Sequence, residues 1–290
     1  MAKSLYVIVS LASNCALVVY FLLYYSKPVP NTSNSLMKNV PQPKNTARLE
    51  FIPKHPVISC NDLFTDSPAN TFKMSTRFDL LYQEFDSEVN SSVGGKKGPV
   101  AGYYEGHSQL LPEQYKALHY MAGLKFVRTI CETGFNYGHS SFNFLTASDK
   151  AVVHSFDIGS HPYTKQMANY LSAKFPGRFF IRYGDSTASV PEFVQKNSDI
   201  RCDLIFVDGC HSYPVAKSDL ETLMKIASND NIIVMDDFPT TSYQGVQYGK
   251  AWEELVAKGS IEEIMRCKFR EIVSKHASEA AFVIGRAVNI

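Results

Sequence analysis

From Lys125 onward, short apolar runs alternate with longer stretches in which apolar residues recur at helical spacing. The runs lie at 126–131, 152–156, 178–183, 203–207 and 231–235. In the stretch 213–227, apolar side chains recur every three or four residues, as on one face of a helix. Strands that are apolar throughout are buried on both faces, as in a parallel sheet covered by helices. The pattern predicts a doubly wound, mostly parallel α/β sheet.

Further elements flank these five runs. The chain ends with two strand-like runs, IEEIMRCKF and AAFVIGRAV, which we expect to form an antiparallel hairpin at a sheet edge. A helix is expected over 245–258. Ahead of the sheet, a helical pattern covers 72–89, a glycine-rich stretch follows, and Pro112 opens another helix. We therefore assign 72–124 to an N-terminal helical extension or cap and 125–290 to the sheet domain.

The N-terminus has the pattern of a membrane anchor. Residues 5–25 are apolar apart from two serines and an asparagine, and a helix of that length spans roughly 30 Å, the thickness of a bilayer core. Tyrosines crowd its C-terminal end, where aromatic rings favour the headgroup region. We expect a transmembrane signal anchor over 5–25 behind a short cytoplasmic tail, 1–4. A cleaved signal peptide is the alternative.

The anchor suggests a location for the rest of the chain. Residues 26–71 are rich in Pro, Asn, Ser and Lys and predict a flexible stem. The few charges beside the apolar segment hardly discriminate between orientations. A short head before a long body favours a type II protein of the ER or Golgi with a lumenal domain. Glycosylation sequons at Asn31 and Asn90 agree with that placement.

Composition excludes some partners and leaves other features open. The chain has 29 basic and 28 acidic side chains and a net charge of +1, so no nucleic-acid partner is expected. Its six cysteines show no disulfide framework and no C-x-x-C metal spacing, so bridges and buried thiols both remain open. Nothing in the pattern indicates the oligomeric state.

An acidic residue stands at or just after the end of each predicted parallel strand. These residues are Glu132, Asp157, Asp185, Asp208 and Asp236. In open α/β sheets, ligands bind outside the carboxyl ends of the strands. A single Asp in such a position is as often a helix N-cap or a turn residue. Five carboxylates at one edge would repel one another unless a cationic or donor-rich ligand lay among them.

The loop after the first strand, Glu132-Thr133-Gly134 through Gly138, lacks the lysine of a phosphate cradle and the G-x-G-x-x-G dinucleotide fingerprint. A carboxylate before the turn suits a cationic ligand instead. Asp157 is placed to bind ribose hydroxyls, and Asp185 to meet an adenine amino group. An amine, a sulfonium, a ribose and an adenine together describe S-adenosylmethionine.

Four motifs in this order resemble those of a known family. E-T-G-x-x-x-G-H-S, F-D-I-G, F-V-D-G-x-H-S-Y and M-D-D-F lie between Phe126 and Phe238. Together they resemble class I S-adenosylmethionine-dependent methyltransferases, within the metal-dependent branch that includes catechol, macrocin and rhamnosyl O-methyltransferases. The resemblance implies a Rossmann-like fold with an antiparallel C-terminal edge hairpin. Carried over to this chain, the cofactor-binding residues are Glu132, Thr133, Gly134, Gly138, Ser140, Asp157, Asp185 and Ser186.

The same resemblance implies a divalent cation, Mg²⁺ or similar, on Asp208, Asp236 and Asp237. His211 would be the general base that removes the acceptor proton, beside Asp208 and the cation. The expected reaction is O-methylation of a hydroxyl on a small molecule or glycan. Two other functions compete with it. One is a type II membrane glycosyltransferase, for which the core lacks an Asp-x-Asp motif, and the other is a non-catalytic binding protein on the same fold.

Overall fold

The structure is a computed structural model that describes residues 76–92, 112–238, 243–270 and 279–288. The expected tail, anchor and stem, residues 1–71, lie outside these ranges. Among the described residues, no helix combines the length and the hydropathy needed to cross a membrane.

The described elements follow the predicted order, with two helices before a regular alternation of strands and helices. The helices are α1 (Thr76–Ser92), α2 (Pro112–Ala122), α3 (His139–Ala147), α4 (Pro162–Lys174), α5 (Ser186–Lys196), α6 (Tyr213–Met224) and α7 (Tyr243–Ala257). The strands are β1 (Thr129–Thr133), β2 (Val152–Asp157), β3 (Phe179–Tyr183), β4 (Cys202–Val207), β5 (Ala227–Met235), β6 (Ile261–Arg270) and β7 (Glu279–Ala287).

The strands form one sheet in the order β3-β2-β1-β4-β5-β7-β6. Strands β1 to β5 are parallel, and β7 pairs antiparallel with both β5 and β6. The chain turns from one half of the sheet to the other between β1 and β4, so this is the switch point at which such folds bind ligands. The predicted Rossmann-like sheet with an antiparallel C-terminal edge hairpin is confirmed.

The boundary of β1 differs from the prediction. The sequence placed the strand end at Cys131, but β1 continues to Thr133 because Glu132 and Thr133 pair with both β2 and β4. Glu132 therefore lies inside the strand and is completely buried. Its carboxylate belongs to the sheet rather than to the loop that follows.

Helices cover both faces of the sheet, as strands that are apolar throughout require. One face packs against α1 to α4 and the other against α5 to α7. In β4, Leu204 and Phe206 face the first group of helices, while Ile205 and Val207 face the second. Helix α1, from the predicted extension, joins the first layer, where the rings of Phe85 and Phe142 stack with centroids 4.4 Å apart.

A buried polar contact fixes α2 against α3. Asn143 of α3 accepts a hydrogen bond from Nδ1 of His119 (2.6 Å) and donates one to the carbonyl of Tyr115 (2.9 Å). All three residues are buried. Burial lowers the pKa of His119 to about 4, although the hydrogen bond to Asn143 partly opposes that change. His119 is therefore neutral near pH 7, and its ring holds α2 in one position on the core.

A disulfide joins β1 to β4 at the switch point. Cys131 and Cys202 are 71 residues apart in sequence, their Cα atoms are 5.8 Å apart, and both are fully buried. The sequence had left bridges and buried thiols equally open at these positions. The structure places this bridge in the centre of the sheet.

The low pKa of His119 predicts a loss of stability in acid. Below pH 6.5 the unfolded chain binds a proton at this histidine while the folded chain does not, so the unfolding free energy falls as the pH drops toward about 4. The contribution of His119 is at most roughly 3 kcal/mol. Urea unfolding of His119→Gln should show a shallower fall than the wild type between pH 6.5 and 4. Lys116→Gln, on the same helix, is the control; equal slopes for all three proteins would contradict the prediction.

Candidate active site

The first predicted cofactor loop is built on the buried carboxylate of Glu132. Its Oε1 accepts a hydrogen bond from the Ser140 hydroxyl, and its Oε2 accepts bonds from Ser141 and from Ser155 (2.8 Å). Burial raises the pKa of Glu132 to about 7; the three hydroxyls lower it and the charge of Asp208 raises it further. Because both carboxylate oxygens accept hydrogen bonds, Glu132 and Ser140 fix the conformation of the loop and of the first turn of α3.

Gly134 lets this loop lie directly against the loop after β4. Its φ is +92°, and a Cβ atom there would lie 1.9 Å from the carbonyl oxygen of Asp208. The amide of Asp208 in turn donates to the carbonyl of Thr133 (2.9 Å). Gly138, with φ +84°, precedes α3 and leaves no room for a Cβ beside the ring of Phe135. The two glycines thus have steric as well as conformational reasons to lack a side chain.

Asp157, at the end of β2, holds the same loop from the other side. Its Oδ2 accepts hydrogen bonds from the amides of Phe135 (3.0 Å) and Asn136 (2.9 Å), and its Oδ1 accepts one from Gly159 (2.7 Å). The side chain is almost fully buried. Two amides on Oδ2 and one on Oδ1 leave acceptor capacity on Oδ1, so the position predicted to bind ribose is compatible with that role.

Asp185, at the adenine end of the predicted site, is an N-cap. Its Oδ1 accepts hydrogen bonds from the amide (2.9 Å) and the hydroxyl (2.7 Å) of Thr187 in the first turn of α5, and the residue is exposed. The alternative that the sequence left open for a strand-end Asp is thus realised here. Ser186 begins α5 and is half-buried.

Asp208, His211 and Asp237 meet beyond the ends of β4 and β5. Nε2 of His211 lies 3.2 Å from Oδ2 of Asp237 and 3.6 Å from Oδ1 of Asp208. One ligand atom from each of the three residues falls within 4.8 Å of the others, a spacing that can hold a metal ion. Two carboxylates and one imidazole are donors that Mg²⁺ or Mn²⁺ accepts, with Mn²⁺ the better match for a nitrogen ligand.

Asp236 lies outside this trio, in contrast to the predicted ligand set. Its Oδ1 accepts hydrogen bonds from Nε2 of Gln114 (2.5 Å) and from the amide of Asp237 (2.9 Å). Burial and the charges of Asp208 and Asp237 raise the pKa of Asp236 well above its usual range. Asp236 thus contacts Gln114 and the Asp237 amide, whereas the ligand atoms that lie within 4.8 Å of one another belong to Asp208, His211 and Asp237.

The acids around His211 control its charge. Burial alone would lower its pKa, but the neighbouring carboxylates of Asp208, Asp237 and Asp236 raise it to about 9. The ring lies 4.8 Å from that of Tyr248, whose hydroxyl donates to the carbonyl of Val207 (2.8 Å). A base must be neutral to accept a proton, so His211 can act as one only when another cation offsets these carboxylates.

Two residues at the site were missed from the sequence. Gln114 comes from α2, more than a hundred residues before Asp236, and no local pattern announces that contact. Asp219 is 1% exposed, and burial raises its pKa to about 7. A Cβ on Gly209 would lie 3.3 Å from Oδ2 of Asp219 and equally close to the hydroxyl of Thr133. Asp219 did give a signal, because it stands on the apolar face of a predicted helix.

Comparison with known proteins identifies the domain. Residues 131–238 match the family model described as "Methyltransferase domain". Over these residues the chain is similar to methyltransferase domains, and its sheet has the Rossmann-like order that the motifs had indicated. No curated protein sequence matches the chain.

Solved structures support the fold at low sequence identity. An O-methyltransferase from Bacillus cereus in complex with SAH is 15% identical, with 70% of this chain and 90% of that chain covered and a TM-score of 0.53. TomG from Streptomyces achromogenes, an O-methyltransferase involved in tomaymycin synthesis and bound to SAM, is 16% identical, with 70% and 89% covered and a TM-score of 0.53. A putative O-methyltransferase from Klebsiella pneumoniae is 13% identical, with 79% and 100% covered and a TM-score of 0.56.

The contact between the two loops predicts a large effect of Gly134→Ala. The added methyl group would overlap the Asp208 carbonyl, so we expect a loss of more than about 4 kcal/mol of unfolding free energy, or no folded protein. Gly177 is a matched control because its φ of +73° is similarly strained for alanine while nothing lies within 4 Å of an added Cβ. Gly177→Ala should cost only about 1 kcal/mol. Urea unfolding measures both, and equal losses would show that conformational strain alone matters at Gly134.

Proposed function

We propose that the protein transfers the methyl group of S-adenosylmethionine to a hydroxyl oxygen of a small molecule or glycan, assisted by a divalent cation. The observation that carries this proposal is the meeting of Asp208, His211 and Asp237 directly beside the first loop of the methyltransferase domain. The O-methyltransferase neighbours support oxygen as the acceptor atom. Neither the domain match nor the fold supports the glycosyltransferase alternative.

In the proposed donor site, Asp157 accepts hydrogen bonds from the ribose hydroxyls, and Asp185 with Ser186 borders the adenine. The backbone at Gly134 and Gly138 comes close to the methionine portion, with Thr133 beside it. Glu132 and Ser140 act indirectly, because the carboxylate is already committed to three hydroxyls. Their role in the proposal is to hold the loop in the shape that the donor requires.

In the proposed acceptor site, Asp208 and Asp237 would hold the cation, and His211 stays uncoordinated so that its Nε2 accepts the acceptor proton. A bound divalent cation would lower the pKa of the acceptor hydroxyl. The oxygen then attacks the methyl carbon, the carbon–sulfur bond breaks, and its electron pair stays on sulfur to give neutral S-adenosylhomocysteine. The rigid contact between the two loops favours the in-line arrangement of oxygen, carbon and sulfur.

The two halves of the site can be tested separately by isothermal titration of purified full-length protein. Wild type should bind S-adenosylhomocysteine and Mn²⁺. Asp157→Ala should weaken binding of S-adenosylhomocysteine by tenfold or more, because ribose contacts are lost, and Asp208→Asn should weaken Mn²⁺ binding by a similar factor.

Exposed Asp199→Asn is the control and should change neither affinity. A wild type that binds no S-adenosylhomocysteine would contradict the whole proposal. Binding of S-adenosylhomocysteine without Mn²⁺ would remove only the metal assistance.

We further propose that residues 5–25 anchor the protein in the membrane and that its catalytic domain lies in the lumen of the ER or Golgi. The buried Cys131–Cys202 disulfide supports this proposal, because structural disulfides persist in oxidising compartments. The exposed position of Asn90 leaves its sequon accessible to glycosylation.

Protease treatment of microsomes that contain the full-length protein tests this placement. We expect the domain to resist digestion until detergent opens the membrane, and alkaline carbonate to leave the protein in the membrane fraction. Digestion without detergent would contradict the lumenal location. Release by carbonate of a chain that lacks its first 25 residues would instead show a cleaved signal peptide.

A further inference from the structure

Gln114 connects the N-terminal helical extension to the candidate active site. The residue lies in the first turn of α2, is 7% exposed, and donates from Nε2 to Oδ1 of Asp236 over 2.5 Å. Loss of this acceptor would leave a buried amide donor unsatisfied, which is unfavourable in a protein interior.

The helix that carries Gln114 is itself held in place. Tyr115 and His119 follow Gln114 on α2, and both are tied to Asn143 of α3 within the apolar core. Helix α3 begins directly after the first cofactor loop. The position of the Gln114 amide is thus fixed by the same helices that support the donor site.

Asp236 also contacts the residue that follows it in the chain. The oxygen that accepts from Gln114 also accepts from the amide of Asp237. Asp237 has φ +54°, a left-handed conformation that is unfavourable for a residue with a Cβ atom. The turn therefore needs support from its surroundings, and its side chain reaches Nε2 of His211.

We propose that Gln114 is a positioning residue: by holding Asp236, it fixes the left-handed turn at Asp237 and so sets the carboxylate that faces His211 and the divalent cation. Part of this inference rests on the proposed function, namely that Asp237 binds a cation. The N-terminal extension then supplies a necessary part of the acceptor half of the site.

The substitution Gln114→Met tests the hydrogen bond, because methionine has a similar length and volume but no donor. In full-length protein, hydrogen exchange of the peptide that contains the Asp237 amide should be at least tenfold faster than in the wild type. The dissociation constant for Mn²⁺, measured by electron paramagnetic resonance of the free ion, should rise tenfold or more, as for other residues that orient metal ligands. The affinity for S-adenosylhomocysteine should change less than twofold.

Gln166→Met is the matched control, since Gln166 is exposed on α4 and its side chain donates to Glu88 (3.2 Å), far from the turn in sequence. It should match the wild type in all three measurements. Wild-type exchange and Mn²⁺ affinity in Gln114→Met would overturn the proposal. So would a joint loss of Mn²⁺ and S-adenosylhomocysteine binding, because the effect would then not be confined to the turn. If the wild type binds S-adenosylhomocysteine but no Mn²⁺, the metal part of the proposed function fails, and the exchange rate still decides the role of Gln114.

Discussion

The close contact between the loops after β1 and β4 is the constraint on which the rest of the site depends. At Gly134 the two backbones approach so closely that a single methyl group would overlap the Asp208 carbonyl. This contact places the loop proposed to bind the methyl donor beside the residues proposed to bind the cation. It exists because β1 and β4 are hydrogen-bonded neighbours, joined by a disulfide, at the point where the chain changes direction.

The carboxylates at this edge of the sheet are stabilised in two different ways. Glu132 and Asp157 are surrounded by neutral donors: hydroxyls in one case and backbone amides in the other. Their hydrogen-bonding capacity is spent largely on building the loop. Beyond β4 and β5, in contrast, Asp208 and Asp237 face each other with His211 as their shared positive partner. Hydrogen-bond donors thus surround the carboxylates on one side of this edge, and on the other side the carboxylates outnumber the positive charges. Such an edge suits a nucleoside with a cation beside it.

The N-terminal extension is part of this arrangement and not an appendage to it. Helices α1 and α2 pack in the same apolar layer as α3 and α4, and the Asn143 contacts set the position of α2. Through Gln114 that position reaches the turn at Asp236 and Asp237. A left-handed aspartate beside two other acids is unfavourable on its own. In our proposal, the hydrogen bond from Gln114 supports this turn from an element distant in sequence.

The sequence by itself determined the sheet, its antiparallel edge and the rim of acidic residues, because burial on both faces leaves a local pattern of apolar runs and strand ends. It also located Gly134 and Asp208 in the correct loops. Only the tertiary structure decided what each acid does. It placed Glu132 inside the strand, made Asp185 an N-cap, and brought His211 beside Asp208 and Asp237. Gln114 could not be predicted at all, since its contact with Asp236 depends on how α2 packs on α3. Hydrogen bonds between residues far apart in the chain are set by that packing and leave no periodic trace in the sequence.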